Sequence, residues 1–306
     1  MRIGIHVSAS GRGDNAIDEL VAHGKAAVAA GLDALWLPQL MDLDALTAIA
    51  VLGREVPGIE LGTAVVPTYP RHPLMLAGQA LTAQAASANR VTLGIGLSHQ
   101  MVIEGVFGHS FDKPARHMRE YLSILMPALR GESVAFVGET MRGSTFAPMI
   151  VAGAEPPSVL VAALAPAMLR LAGELTDGTV TWMVGPKTLG DHIVPSITTA
   201  AESAGRPAPR VAVGLPVCVT ADVAAARQRA AKTFSIYGSL PSYRAMLDRE
   251  GVQGPADVAV VGDEEEVRAA LGRLADLGAT DLASPVFGSS EERSRTMAVL
   301  SELAAH

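Results

Sequence analysis

The chain has 306 residues, 49% hydrophobic and only 4% aromatic, with a formal net charge of −7. That length buries one large core or two smaller ones, and the acidic balance argues against nucleic acid or an acidic membrane surface as partner. Cys218 is the only cysteine, which excludes an intrachain disulfide and a cysteine-cluster metal site and suits a reducing cytoplasm. No secretory pattern is visible, because Met1-Arg2 runs directly into Ile3-Gly-Ile-His-Val7. The longest uncharged run, near 156–169, is shorter than a membrane span and broken by prolines. The expectation is a cytoplasmic protein that binds neither nucleic acid nor membrane.

In chain order the sequence alternates strand and helix. Residues 2–7 predict a short apolar strand and 14–30 an Ala-rich helix that stops at Gly31. A second strand over 34–39 and a helix over 43–56 follow, then a third strand over 59–66, a helix over 74–88 and a fourth strand over 91–98. The period then stretches. Residues 99–114, with Gly105, Gly108 and Pro114, read as an insertion after strand four, ahead of a helix over 115–129. Residues 134–157 alternate and are broken by Gly and Pro, which predicts a β-excursion over the rim. A strand over 158–163, a helix over 166–175, a sixth strand over 179–184 and a helix over 188–204 restore the rhythm. The seventh strand spans 211–220. A helical excursion over 222–249, inside an insertion reaching about 262, precedes a helix over 264–277, the eighth strand over 281–287 and a last helix over 290–304. Eight β/α units predict an α/β protein of the TIM (β/α)8 barrel class, one domain over 1–306 with insertions after strands 4 and 7.

Several constellations sit where a barrel would expose them. Gly62-Thr-Ala-Val-Val-Pro-Thr-Tyr-Pro-Arg-His-Pro73 is an apolar strand breaking into a proline-stiffened turn at a strand's C-terminal end, the end that carries barrel chemistry. Gly94-Ile-Gly96 lies inside a strand rather than opening a helix, so it is no dinucleotide fingerprint; its small residues let a ring or a neighbouring backbone approach closely. His99 follows strand four, where it serves either a substrate proton or a structural hydrogen bond. Gln39 ends strand two; its amide can hydrogen-bond a ring but cannot shuttle protons, and a polar rim residue is the other reading. Leu164-Ala-Pro166 and Gly185-Pro-Lys-Thr188 open helices after strands five and six, and two adjacent helix starts make a candidate phosphate cradle. Arg71, His72, Arg116 and His117 are either solvated or pair with an anionic tail. No metal-spaced His or carboxylate cluster and no Gly-x-Ser-x-Gly elbow appears in the sequence.

The runs Gly62–Pro73, Gly94–Gln100, Lys113–Tyr121 and Leu164–Gly178 together resemble one family, the luciferase-like flavin and deazaflavin oxidoreductases, in the branch that uses coenzyme F420. The resemblance spans essentially the whole chain. It implies a luciferase-like TIM barrel that moves a hydride between F420 and a small organic substrate, usually as a homodimer. It further implies a ring held against strand three at Thr63, Ala64 and Val65, with a non-prolyl cis peptide between Ala64 and Val65. Gly96, Ser98, His99 and Gln39 would meet the ring, with His99 and Gln39 as the catalytic candidates. Leu164, Ala165, Gly185, Lys187 and Thr188 would hold the phosphate. The chain departs from relatives in three places. His99-Gln100 stands where some carry a carboxylate, Pro38-Gln39 where sugar-phosphate dehydrogenases carry Asp-His, and Ala165 where glycine is common. Two alternatives stay open: an FMN-dependent monooxygenase of the same family, and a flavin-binding barrel without catalysis.

Overall fold

The computed structural model describes residues 1–9 and 13–305. β1 (Arg2–His6) leads to α1 (Ala16–Ala29), β2 (Ala34–Leu37) to α2 (Ala45–Glu55), and β3 (Glu60–Thr63), with its short continuation β4 (Val66–Pro67), to α3 (Pro73–Ala86). β5 (Val91–Gly96) passes through α4 (Gln100–Gly105) to α5 (Pro114–Leu129) and a hairpin of β6 (Ala135–Val137) and β7 (Arg142–Ser144). β8 (Ser158–Val161) precedes α6 (Pro166–Leu175). After β9 (Gly178–Trp182) comes a helix that starts as α7 (Pro186–Thr188), takes a π-turn at Leu189–Ile193 and continues as α8 (Val194–Ser203). β10 (Arg210–Gly214) opens the largest insertion: β11 (Val217–Val219), α9 (Val223–Thr233), a 3-10 turn at Ser235–Gly238, α10 (Pro241–Glu250), α11 (Pro255–Val258) and β12 (Val260–Gly262). The chain then runs through α12 (Glu264–Asp276), β13 (Asp281–Ser284) and α13 (Ser290–Ala304).

Eight parallel strands, in the order β1, β2, β3, β5, β8, β9, β10, β13, close on themselves, with β13 paired to β1 and β3 to β5. This is the TIM (β/α)8 barrel that the β/α rhythm anticipates. Alternation explains the closure. Ile3, Ile5, Leu35, Leu37, Leu61, Leu93, Ile95, Val159, Val161, Val211, Val213 and Leu282 are all buried in one core with the surrounding helices, each worth about 1.5–3 kcal/mol. The intervening residues point inward in layers. The floor, at the strand starts, is ionic: Arg210 pairs with Asp281 (2.6 Å) and Glu60 (2.9 Å), and Arg2 with Glu60 (2.6 Å). Above it lies a dry layer of Ala34, Trp36, Leu160, Val180, Ala212 and Ala283. Gly62 is required here, since a Cβ would fall inside the Trp36 ring.

The structure corrects several boundaries. Strand three is interrupted: the ladder stops at Thr63, the Ala64–Val65 peptide is cis as expected, and pairing with β5 resumes at Val66. Gly94 accepts that bulge because its missing Cβ would collide with the Thr63 carbonyl, so the close approach made by Gly94 is to neighbouring backbone. Strand seven ends at Gly214 rather than running to 220. Pro216 lacks the N–H to continue the ladder, and Val217–Val219 pairs instead with β12 in a separate two-stranded sheet. The helix after strand six starts at Pro186, earlier than 188. The 134–157 excursion is a short antiparallel hairpin lying against α5 outside the barrel, with only its tip, 139–141, near the rim. The 99–114 insertion carries α4, and the 222–249 excursion splits into α9 and α10 around the 3-10 turn. Among the described residues no helix is long and apolar enough to cross a membrane.

Candidate active site

At the C-terminal ends of the strands the dry layer gives way to a mouth whose inward residues, His6, Ala64, Val65, Ala162 and Trp182, all keep partial exposure. His6 ends β1. Burial lowers its imidazole to about 4, opposed by a hydrogen bond to the Ala64 backbone, so it is neutral at pH 7. Ser98 (φ 59°) and Met183 (φ 56°) adopt left-handed backbone at the ends of β5 and β9 and turn the chain sharply off the barrel. His99 then caps α4 without a side-chain cap bond, and burial lowers its pKa as well.

Aromatic rings close over this mouth. Trp182 lies 6.4 Å from the His6 ring, 6.0 Å from Phe234 and 5.6 Å from Tyr237. Tyr243 is 5.2 Å from Tyr237 and 5.6 Å from His99. Phe234, Tyr237 and Tyr243 come from the insertion after strand seven, which no local pattern ties to the mouth. His6, Trp182 and these three rings are the site residues that sequence reasoning missed. His6 was in principle legible as an inward position at the end of a predicted strand.

The expected site residues divide. Ala64, Val65, Ser98 and His99 stand at the mouth, partly exposed, beside Gly96, whose missing Cβ makes room for Val65. Thr63 does not face the mouth; its hydroxyl is buried in the wall, donating to the Gly94 carbonyl (2.7 Å) and accepting the Gly94 N–H (2.9 Å). Gln39 is fully engaged in the loop before α2. Its amide nitrogen donates to the carbonyls of Leu40 (3.0 Å) and Leu43 (3.1 Å), and its oxygen accepts from Ala45 N (2.8 Å) and Arg71 Nη2 (3.2 Å). With all four hydrogen-bonding positions in use, Gln39 acts as a loop organiser rather than a ring partner.

The two helix starts also differ. Ala165 caps α6 and is exposed, as are Pro166 and Ala167, while His192 Nε2 donates to the Leu164 carbonyl (2.8 Å), fixing that turn. The second start is covered from within. The Glu250 carboxylate, at the end of α10, accepts the N–H groups of Lys187 (3.1 Å) and Thr188 (2.7 Å) and packs on Gly185. Lys187 Nζ donates to Arg249 O (3.0 Å) and Thr188 Oγ1 to Met246 O (3.3 Å). The donors expected to hold phosphate thus anchor α10, leaving α6 as the open start.

Arg71, His72, Arg116 and His117 line a neighbouring groove of 660 Å³ or its rim, and each has an internal partner. Arg71 pairs with Asp44, Arg116 with Glu139 (3.0 Å), His72 Nε2 donates to Arg142 O (3.0 Å), and His117 Nε2 meets Thr68 Oγ1 (3.0 Å). Among the described residues no His, Cys, Asp and Glu cluster could hold a metal ion.

Fold and mouth define a TIM-barrel protein with its candidate site at the strands' C-terminal ends. The chain belongs to the luciferase-like monooxygenase family, whose model matches residues 1–281. It is 29% identical over 248 residues to the 5,10-methylenetetrahydromethanopterin reductase of Methanolobus tindarius, covering 79% of this chain and 74% of that one. Its fold matches the coenzyme F420-dependent tetrahydromethanopterin reductase of Methanopyrus kandleri with a TM-score of 0.80 at 20% identity, covering 98% and 97% of the two chains. The oxygenating constituent of 3,6-diketocamphane monooxygenase from Pseudomonas putida, in complex with FMN, matches with a TM-score of 0.76 at 17% identity over 99% and 96%.

Proposed function

We propose that this protein is an F420-dependent oxidoreductase that transfers a hydride between the deazaflavin coenzyme and an organic substrate. The observation that carries the reading is the interrupted third strand, where Ala64 and Val65 stay partly exposed beside neutral His6 and beside the small residues Gly96 and Ala162 of the neighbouring strands. A flat ring fits such a floor, because no long side chain rises from it. The open α6 start at Leu164 and Ala165 suits a phosphate, since its first-turn N–H groups lack a side-chain cap. The reductase relatives point the same way.

When bound, the coenzyme supplies the hydride chemistry. The chain's own residues supply binding, orientation and proton handling. Ala64 and Val65 back the ring, and Leu164 and Ala165 hold the phosphate. His6 donates one ring N–H to the Ala64 backbone and keeps its second nitrogen as an acceptor. His99, its pKa lowered by burial and so neutral at pH 7, takes a proton from a substrate hydroxyl or returns one to a carbonyl oxygen. Gly185, Lys187 and Thr188 act indirectly by holding α10, and Gln39 by holding the loop before α2.

A side-by-side titration of the purified protein with F420 and FMN tests the assignment. F420 is expected to bind at least tenfold more tightly, a gap of about 1.4 kcal/mol. Equal affinities, or tighter FMN, would move the protein to the flavin monooxygenase reading.

A further inference from the structure

We propose that the insertion between β10 and α12 builds an uncharged aromatic wall over the mouth, and that this wall selects a neutral, ring-bearing organic substrate. The inference rests on the oxidoreductase reading and adds its substrate class.

The wall is assembled from four distant stretches. His6 ends β1, Trp182 ends β9, His99 follows β5, and Phe234, Tyr237 and Tyr243 come from the insertion. Successive rings along the path His6–Trp182–Tyr237–Tyr243–His99 are 6.4, 5.6, 5.2 and 5.6 Å apart, a continuous band across the barrel end. The chain has only two Trp and four Tyr, and one Trp and two Tyr stand here. Unlike the fully buried Trp36, every residue of the band keeps partial exposure.

The band carries no charge at neutral pH. Burial lowers both histidines and raises the phenols of Tyr237 and Tyr243. Three of the charged groups of α10 are used elsewhere: Glu250 caps the Lys187 and Thr188 N–H groups, and Arg244 binds Asp248 (2.8 Å) and the carbonyls of Val252 and Gln253. A substrate carboxylate or phosphate entering the band would lose its hydration without meeting a counter-charge. An apolar or aromatic ring would gain edge and face contacts, and its single carbonyl or hydroxyl would find His99 or His6. The wall is pre-set, because Glu250 and the Thr188–Met246 bond anchor α10 to the start of the helix after strand six.

The matched probes are acetophenone and 4-acetylbenzoate, which share ring and carbonyl and differ by one carboxylate. Binding of each is measured by ligand-observed NMR to the protein with and without F420. Acetophenone is expected to bind at least tenfold more tightly than 4-acetylbenzoate. Tyr237→Ala and Tyr243→Ala should each weaken acetophenone at least fivefold, whereas Tyr243→Phe, which keeps the ring, should stay within twofold. F420 affinity should be unchanged in all three, which also shows that the variants fold. Equal binding of the two probes, no acetophenone binding, or indifference to the alanine variants would overturn the wall. Acetophenone selectivity in a protein that binds no F420 would support the wall while removing the hydride-transfer reading; F420 binding with no probe selectivity would remove the wall alone.

Discussion

His6 shows how one residue's environment sets its chemistry. Burial at the end of β1 depresses its pKa from 6.5 to about 4, with the Ala64 hydrogen bond partly opposing the drop. Because the folded pKa is lower, the unfolded chain binds the proton first as pH falls. Stability linked to His6 is therefore complete above about pH 6.5 and is lost progressively down to about pH 4, below which it changes no further. Between pH 7 and pH 4.5 that loss is about 2 kcal/mol. His117, also held at about 4 by burial, titrates in the same window. We expect His6→Gln to lose about 2 kcal/mol less than the wild type over this range in urea unfolding, with His117 contributing equally to both. Identical pH slopes would place the His6 ring in water rather than in the wall of the mouth.

At the scale of an element, the hairpin β6–β7 depends on one carboxylate of α5. Glu120 is 6% exposed. Burial would raise its carboxyl, but the Thr140 hydroxyl and the N–H groups of Glu139, Thr140 and Met141 outweigh that and hold it at about 2. One carboxylate accepts from all four of those donors, so Glu120→Ala should cost about 2–4 kcal/mol locally. Hydrogen exchange at the amides of 139–141 is the measurement. Acceleration by roughly 10²-fold or more, with the α5 amides still protected, is expected; unchanged exchange would mean that the tip is held by other contacts.

For the whole molecule, the ionic floor ties together strands that are far apart in sequence. Arg210 of β10 reaches Asp281 of β13, Glu60 of β3 and the Thr92 hydroxyl of β5 (3.0 Å), while Arg2 of β1 reaches Glu60. The Asp281 side chain is 2% exposed, and the Arg210 guanidinium holds its carboxyl below the usual range against the effect of burial. Arg210→Met leaves that buried carboxylate with only the longer Arg2 contact (3.4 Å) and the Thr280 hydroxyl (2.6 Å), and should cost about 3–5 kcal/mol of global stability. Adding Asp281→Leu should restore much of it, because an apolar pair needs no counter-charge. Chemical denaturation checks both steps, and a double variant as unstable as the single one would count against the pairing. The mouth lies at the opposite end, so cofactor affinity should survive in every variant that folds.

The sequence by itself determined the barrel. Alternating apolar strands and capped helices are short-range patterns, and the order of the eight β/α units could be read from them, with α6 and α13 placed to the residue. The placement of Ala64, Val65, Ser98 and His99 at the barrel mouth followed as well, since they had to lie at the C-terminal ends of strands three and four. What tertiary structure alone decided was which groups meet there. Strand seven stops at Gly214 because Pro216 and the β11–β12 pairing redirect the chain, and that redirection carries Phe234, Tyr237 and Tyr243 to Trp182 and His99. Glu250 reaches the Lys187 and Thr188 N–H groups only because α10 folds back some sixty residues later. Gln39 is consumed by Ala45 and Arg71 through contacts that no spacing encodes. Periodicity reports which face of an element is buried. It is silent on which distant side chain competes for a given donor, and at this mouth that competition decides the chemistry.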